Sequence, residues 1–96
     1  MYEKTLEKQI CNKVKDLGGR AFKWVCPGVS GVPDRICILP GGRIIFIELK
    51  RPRVKNGLSS RQGKIISVLE KLGCRVRRIN CKEDFDKTLE ELSYGL

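Results

Sequence analysis

The 96-residue chain contains no histidine. This absence excludes histidine-based catalysis and zinc sites with histidine ligands. The chain also lacks a long apolar run and a signal-peptide pattern, so we expect neither a membrane-spanning helix nor export. We find no internal repeat, linker or low-complexity tract, and the length predicts one domain over residues 1–96.

Paired cysteine motifs are absent as well. The five cysteines are odd in number and form no Cys-x-x-Cys pair, which argues against a disulfide framework and against a zinc site. Cys37 and Cys74 lie in apolar, strand-like segments, where a free cysteine acts as a small buried hydrophobic residue. We therefore expect the chain to work in a reducing cytoplasm.

Acidic residues are scarce over most of the chain. Residues 1–82 contain 19 Lys and Arg against 6 Asp and Glu, a net charge of +13. Residues 83–96 contain 1 against 5, a net charge of −4, which gives +9 for the whole chain. A basic body with a small acidic end predicts a polyanionic partner, and we take nucleic acid to be that partner.

Hydrophobic periodicity predicts three helices and four strands. Two apolar segments flank a Pro-Gly-Gly sequence at 40–42, which indicates a β-hairpin. A helical crossover precedes the last strand and permits parallel pairing, so we expect an α/β fold with a mixed sheet. The expected elements are a helix over 2–17, a strand over 20–26, the hairpin over 34–50, a helix over 58–72, a strand over 74–79 and a helix over 83–92.

Each helix carries an apolar stripe at helical spacing. In the first helix the stripe is Leu6, Ile10, Val14 and Leu17, and in the last helix it is Phe85, Leu89 and Leu92. In the second helix we expect Ile65, Leu69 and Leu72 to be buried, with Ile66 and Val68 at the edges of the stripe.

The hairpin brings two carboxylates together. If the loop is the three residues 40–42, Leu39 pairs with Arg43, and counting back along the strands pairs Asp34 with Glu48. A register slip of one residue would instead turn Glu48 to the opposite face from Asp34. Directly opposite residues have Cβ atoms about 5 Å apart. Two carboxylates at that distance repel each other unless a cation lies between them, and Mg²⁺ prefers such oxygen ligands.

Strand alternation predicts that Lys50 shares a face with Glu48, roughly 6–7 Å further along the strand. A simpler interpretation of the same residues makes Asp34 a turn residue after Pro33 and Glu48 and Lys50 an exposed strand end. We prefer the metal site because all three charges end apolar strands, and an isolated buried charge is costly.

These residues resemble a known family. The Gly-Val-Pro-Asp-Arg string at 31–35, with Glu48-Leu49-Lys50 and Gln62 downstream, is similar to VRR-NUC nucleases of the PD-(D/E)xK superfamily. The likeness is to their small stand-alone phage members. It implies a restriction-endonuclease-like fold and a Mg²⁺- or Mn²⁺-dependent DNA endonuclease. It also implies a homodimer that cleaves Holliday junctions in the cytoplasm, which is that of a bacterial host if the chain is phage-encoded.

In this interpretation Asp34 and Glu48 bind the metal, with the Leu49 carbonyl as a further ligand. Lys50 positions the attacking water or offsets charge in the transition state. The resemblance adds a metal-ligating glutamate from the first helix, and the family's spacing favours Glu7 over Glu3, although the sequence leaves both open. In the family, a glutamine at the place that Gln62 occupies in this chain lines the active site.

Gln62 also has a structural explanation, because Ser59 and Gln62 fit a capping box at the start of the second helix. The two explanations are compatible, so we keep both. The basic residues expected to bind DNA phosphates are Arg51, Arg53, Lys55, Arg61 and Lys64. Two alternatives remain open: a non-catalytic nucleic-acid-binding module, and a nuclease that cuts flaps or other DNA structures.

Overall fold

The computed structural model describes residues 3–49 and 60–94, with side chains described over 5–49 and 63–94. The order of elements is the predicted one: helix, three strands, helix, strand, helix. Their bounds are α1 Glu3–Asp16, β1 Arg20–Lys23, β2 Arg35–Leu39, β3 Arg43–Leu49, α2 Ser60–Lys71, β4 Arg75–Ile79 and α3 Lys82–Tyr94.

The four strands form one sheet in the order β1-β2-β3-β4. The first two pairings are antiparallel and the β3–β4 pairing is parallel, which confirms the predicted mixed sheet. A 3₁₀ turn over Pro40–Gly42 joins β2 to β3, and Leu39 pairs with Arg43 as predicted. Gly41 and Gly42 have φ angles of 84° and 76°, a left-handed region that glycine adopts without steric cost.

One face of the sheet, here called the inner face, is covered by α1 and α3. Alternation along the strands directs Cys37, Leu39, Ile45 and Ile47 into this layer, where each is at most 2% exposed. The predicted stripes of α1 and α3 pack against it: Leu6, Ile10, Val14, Phe85 and Leu92 are buried, and Leu17 and Leu89 are partly buried.

The opposite face of the sheet, here called the outer face, is apolar but much more open. Phe22, Ile38 and Ile44 are 45%, 38% and 46% exposed. Trp24 packs against Phe46 with ring centroids 5.1 Å apart, so this tryptophan packs across the sheet. Glu48 belongs to the same face, because it alternates with Ile47 and Leu49 along β3.

The predicted stripe of α2 was partly wrong. Ile66, expected at the edge of the stripe, is fully buried, whereas Leu72, expected to be buried, is 74% exposed and directly follows the last residue of α2. The reason is that α2 packs mainly against the single strand β4, so only a narrow strip of the helix is covered. Periodicity locates an apolar side of a helix, but the neighbouring element decides which residue in it is buried.

The cysteines within the described part of the chain are all free thiols; Cys37 is buried, Cys74 is half-buried and Cys81 is exposed. Among the helices described, none is both long enough and apolar enough to cross a bilayer.

Candidate active site at the end of strands β2 and β3

Asp34 and Glu48 hold each other through the backbone. The Asp34 amide N–H donates to Glu48 Oε1 over 3.1 Å. In return, the Leu49 amide N–H donates to Asp34 Oδ2 over 3.0 Å. The predicted register is therefore confirmed, because Arg35 pairs with Ile47 and the next step outward brings Asp34 beside Glu48.

Glu48 is only 2% exposed, although a buried carboxylate carries a large desolvation cost. The hydrogen bond from Asp34 offsets part of that cost. Across the parallel ladder, Glu48 also lies beside Arg78 of β4, whose guanidinium bonds Glu70 of α2 at 3.2 Å. Sequence reasoning missed Arg78, because the register of a parallel strand reached by a helical crossover is not encoded by a local turn.

This pair suits a hard divalent cation. Each carboxylate has two oxygens, and the two backbone hydrogen bonds use Glu48 Oε1 and Asp34 Oδ2. Mg²⁺ is commonly held by one or two carboxylates while water completes its shell. Over the part of the chain that the structure describes, no group of three or more Cys, Asp and Glu residues is arranged to hold a metal.

Glu7 lies against a different partner. Its Oε1 accepts a hydrogen bond from Arg35 Nε at 2.7 Å, and Arg35 also donates to the Ala21 carbonyl at 3.5 Å. Burial lowers the pKa of Arg35, but the hydrogen bond and charge of Glu7 outweigh it, so the pKa lies above its ordinary value. The structure thus brings Asp34 and Glu48 together and leaves Glu7 on the inner side of β2. The Glu3 side chain lies outside the described residues.

The remaining predicted site residues are described unevenly. The Leu49 backbone belongs to the carboxylate pair, while its side chain is 4% exposed in the core. Lys64 is exposed on α2. The side chains of Arg61 and Gln62 lie outside the described residues, and so do the whole residues Lys50, Arg51, Arg53 and Lys55.

A comparison with models of known protein families finds no match. Among solved structures, one described as "VRR_NUC domain" superposes with a TM-score of 0.81 at 30% sequence identity. The match covers 92% of this chain and 94% of that structure. The chain belongs to the VRR-NUC family. This membership confirms the predicted resemblance to the family and the restriction-endonuclease-like α/β fold.

A curated relative agrees with this assignment. "Putative nuclease p44" of Acyrthosiphon pisum secondary endosymbiont phage 1 is 49% identical over 53 residues. The match covers 55% of this VRR-NUC chain and 57% of the phage protein, so it spans little more than half of that relative's length. The phage source is in keeping with the predicted likeness to small phage members of the family.

Proposed function

We propose that this VRR-NUC domain is a divalent-metal-dependent endonuclease that hydrolyses phosphodiester bonds in DNA. The observation that carries the proposal is the reciprocal hydrogen bonding of Asp34 and Glu48, which holds two carboxylates side by side in a nuclease-family fold. The net charge of +13 over residues 1–82 supports a polyanionic substrate.

Each residue of the site has a distinct task in this proposal. Asp34 and Glu48 hold Mg²⁺ or Mn²⁺ through carboxylate oxygens, and the Leu49 carbonyl offers a further oxygen. Once bound, such a cation supplies an acidified water and stabilises charge developing on the phosphate. Lys50, which strand alternation in the sequence predicts on the same face as Glu48, is proposed to orient the attacking water or to offset that charge.

The contribution from α1 is the least constrained part of the site. Glu7 Oε1 is engaged by the Arg35 guanidinium, so binding a metal beside Asp34 and Glu48 would use the other Glu7 oxygen or exchange that partner. Glu3, one helical turn earlier, is the competing candidate. Calorimetric Mn²⁺ affinities of Glu3→Gln and Glu7→Gln decide between the two residues. Only the variant that replaces the ligating glutamate should bind Mn²⁺ more weakly than the wild type. Gln62 is proposed to line the site from the first turn of α2.

The decisive experiment is cleavage of supercoiled plasmid and of branched DNA with Mg²⁺ or Mn²⁺, compared with the same reactions in EDTA. We expect cleavage only with the metal. A protein that binds these DNAs equally well with and without metal but cuts none of them is a non-catalytic nucleic-acid-binding module, and the proposal is then wrong.

The role of Lys50 has its own test. Lys50→Ala should slow the chemical step in single-turnover cleavage at saturating metal, while Mn²⁺ affinity measured by calorimetry changes little. If metal affinity collapses and the single-turnover rate at saturating metal is normal, Lys50 is a structural residue rather than a catalytic one.

We further propose that the domain acts as a homodimer on four-way DNA junctions. Paired cuts across a junction are most simply made by two copies related by a two-fold axis. The outer face supports a second copy, because exposed apolar side chains on one surface are typical of protein interfaces. These side chains are Phe22, Ile38 and Ile44.

Light scattering should therefore give twice the chain mass. Ile38→Asp with Ile44→Asp should yield a monomer, whereas Val29→Asp, at a loop site with similar exposure, should remain a dimer. A clean wild-type monomer contradicts the dimer. Junction, flap, splayed-arm and linear duplex substrates at equal concentration test the preference, and equal cutting of linear duplex removes the junction proposal while keeping the nuclease.

A further inference from the structure

We propose that a basic pocket between α1 and the first two strands binds a backbone phosphate next to the one that is cut. The pocket has a volume of about 420 Å³ and is lined by Glu7, Lys8, Cys11, Lys23 and Arg35. We call it the α1 pocket. The inference rests on the proposed function to the extent that a nucleic acid strand must reach Asp34 and Glu48.

The charge of the α1 pocket is unbalanced. Lys23 of β1 is the direct partner of Arg35 in the antiparallel register, and like charges in that position repel each other. Lys8 adds a third cation from α1. Among the residues of the lining whose side chains the structure describes, Glu7 is the one carboxylate, so three positive charges face one negative charge there. An anion from outside the protein relieves this repulsion.

The cations differ in how firmly they are held. Arg35 is anchored by Glu7 and by the Ala21 carbonyl, and its side chain is 23% exposed. A guanidinium has five N–H donors, so those two contacts leave it able to donate to a phosphate. Lys8 and Lys23 are exposed and bring two ammonium groups, which bind phosphate as mobile point charges. A fixed arginine with two adaptable lysines matches a tetrahedral anion.

The position of the pocket ties it to the carboxylate pair. Lys23 and Arg35 form the last pair in the β1–β2 register, and the ladder continues through the Trp24 N–H, which donates to the Asp34 carbonyl at 3.1 Å. Arg35 directly follows Asp34, with Cα atoms about 3.8 Å apart. Successive side chains point to opposite faces, so the pocket and Glu48 lie on either side of one rim of the sheet.

A nucleic acid strand that crosses this rim presents one phosphate to Asp34 and Glu48 and a neighbouring phosphate to the α1 pocket. Contacts of this kind fix the register of the strand and carry no base information. The α1 pocket therefore positions the scissile phosphate and does not select a sequence. It adds Lys8, Lys23 and Arg35 to the basic residues expected from the sequence.

The first test compares two double variants that each remove two exposed positive charges. Lys8→Gln with Lys23→Gln alters the α1 pocket, and Lys71→Gln with Lys82→Gln alters charges outside it. Binding of fluorescent junction DNA is measured in EDTA over a range of salt concentrations. The pocket variant should lower the slope of log affinity against log salt by roughly 0.9 for each phosphate that it no longer neutralises, and the control should keep the wild-type slope.

The second test locates the phosphate. Neutral methylphosphonates are introduced one at a time along the DNA strand, and binding to both double variants and the wild type is measured. For the wild type and the control, one position should weaken binding beyond the others. In the pocket variant, a methylphosphonate at that position should cause no additional loss of binding affinity, because the lysines that contact this phosphate have already been replaced.

Two results would overturn the proposal that the α1 pocket binds a phosphate. One is that the affinity losses from the pocket variant and from the methylphosphonate add at every position, and the other is that the two double variants have equal salt slopes. These outcomes are independent of cleavage. A protein that shows the coupling but never cuts DNA with Mg²⁺ or Mn²⁺ keeps the pocket and refutes the nuclease. A protein that cuts DNA without the coupling keeps the nuclease and refutes the pocket.

Discussion

The two faces of the sheet are built from the same strands but differ in what they contact. On the inner face, Cys37, Ile45 and Ile47 are 0% exposed beneath α1 and α3. On the outer face, Ile38 and Ile44, each adjacent in sequence to one of these, are 38% and 46% exposed. Because burial of apolar area drives folding, most of the stability must come from the inner face.

The outer face is buried most deeply where it is charged. Glu48 is 2% exposed, whereas the apolar residues Phe22 and Ile44 of the same face are 45% and 46% exposed. Burying a carboxylate costs free energy, so this arrangement does not serve stability. The inner face therefore supplies the stability of the fold. That stability allows the outer face to hold a buried carboxylate, Glu48, at a cost in free energy.

The largest expected effect on the outer face comes from neutralising Asp34 or Glu48. Asp34→Asn and Glu48→Gln keep shape and a carbonyl acceptor but remove a ligand charge, so cleavage with Mg²⁺ should fall by orders of magnitude while DNA binding persists. Initial rates on junction DNA measure the decrease. Glu70→Gln, which neutralises an exposed carboxylate on α2, is the control and should cut normally. Near-normal cleavage by Asp34→Asn or by Glu48→Gln would contradict the assignment of these residues as metal ligands.

Neighbouring isoleucines on β3 test the difference in stability. Ile45→Ala removes a fully buried side chain and should lower the free energy of unfolding by about 2–5 kcal/mol. Ile44→Ala, one residue earlier and 46% exposed on the single chain, should cost the monomer about 0.5 kcal/mol, and more wherever the proposed dimer covers this residue. Urea unfolding of both variants gives the comparison. Equal losses would mean that the outer face is covered in solution, as a tight dimer requires.

Much of this fold was predictable because its signals are local. The Pro-Gly-Gly turn sets the hairpin register, and period-2 alternation then assigns every side chain of β2 and β3 to a face. Together these two rules place Asp34 opposite Glu48 without any knowledge of tertiary packing. The stripes of α1 and α3 were predictable for the same reason, since each packs a broad apolar side against the sheet.

What escaped prediction depends on how elements are placed relative to one another. The proximity of Arg78 to Glu48 follows from the parallel β3–β4 register, which a helical crossover sets at long range. The pairing of Glu7 with Arg35 follows from the position of α1 over β2. Likewise, the burial of Ile66 instead of Leu72 depends on how α2 is rotated over β4.

Two arginine–glutamate pairs on adjacent residues of β4 sharpen the comparison further. On the inner face, Arg77 binds Glu91 through two bonds of 2.5 Å, and Glu91 is 9% exposed. Its hydrogen bonds with Glu91 raise the pKa of Arg77 despite the opposing effect of burial. On the outer face, Arg78 and Glu70 meet at 3.2 Å with both side chains 49% exposed.

Glu91→Gln should therefore lower the free energy of unfolding by about 2 kcal/mol, because it weakens charge-assisted bonds to a partly buried arginine. Glu70→Gln should lower it by less than about 1 kcal/mol, as is usual for exposed ion pairs. Thermal or urea unfolding of the two variants measures the difference. A larger destabilisation by Glu70→Gln would show that the outer pair supports the buried carboxylate beside it.

The smallest expected effect lies within the inner face and depends on pH. Burial raises the pKa of the Cys37 thiol from its ordinary value near 9 to about 12, with Cys11 adding to the rise and Arg35 opposing it. The unfolded chain therefore loses this proton first as pH rises. The stabilisation that the protonated Cys37 thiol gives the folded state is therefore complete below pH 9 and is lost as pH rises toward 12.

Cys37→Ala removes that pH dependence. Between pH 8 and pH 10 the wild type should lose about 1.4 kcal/mol more stability than the variant, since one pKa unit corresponds to about 1.4 kcal/mol. The variant starts lower at neutral pH because it leaves a small cavity, so the slope is compared and not the absolute value. Cys81→Ala, at an exposed site, is the matched control and should follow the wild-type curve. Urea unfolding of all three proteins across this pH range measures the slopes. Parallel curves for the wild type and Cys37→Ala would mean that the thiol can reach solvent through the inner face.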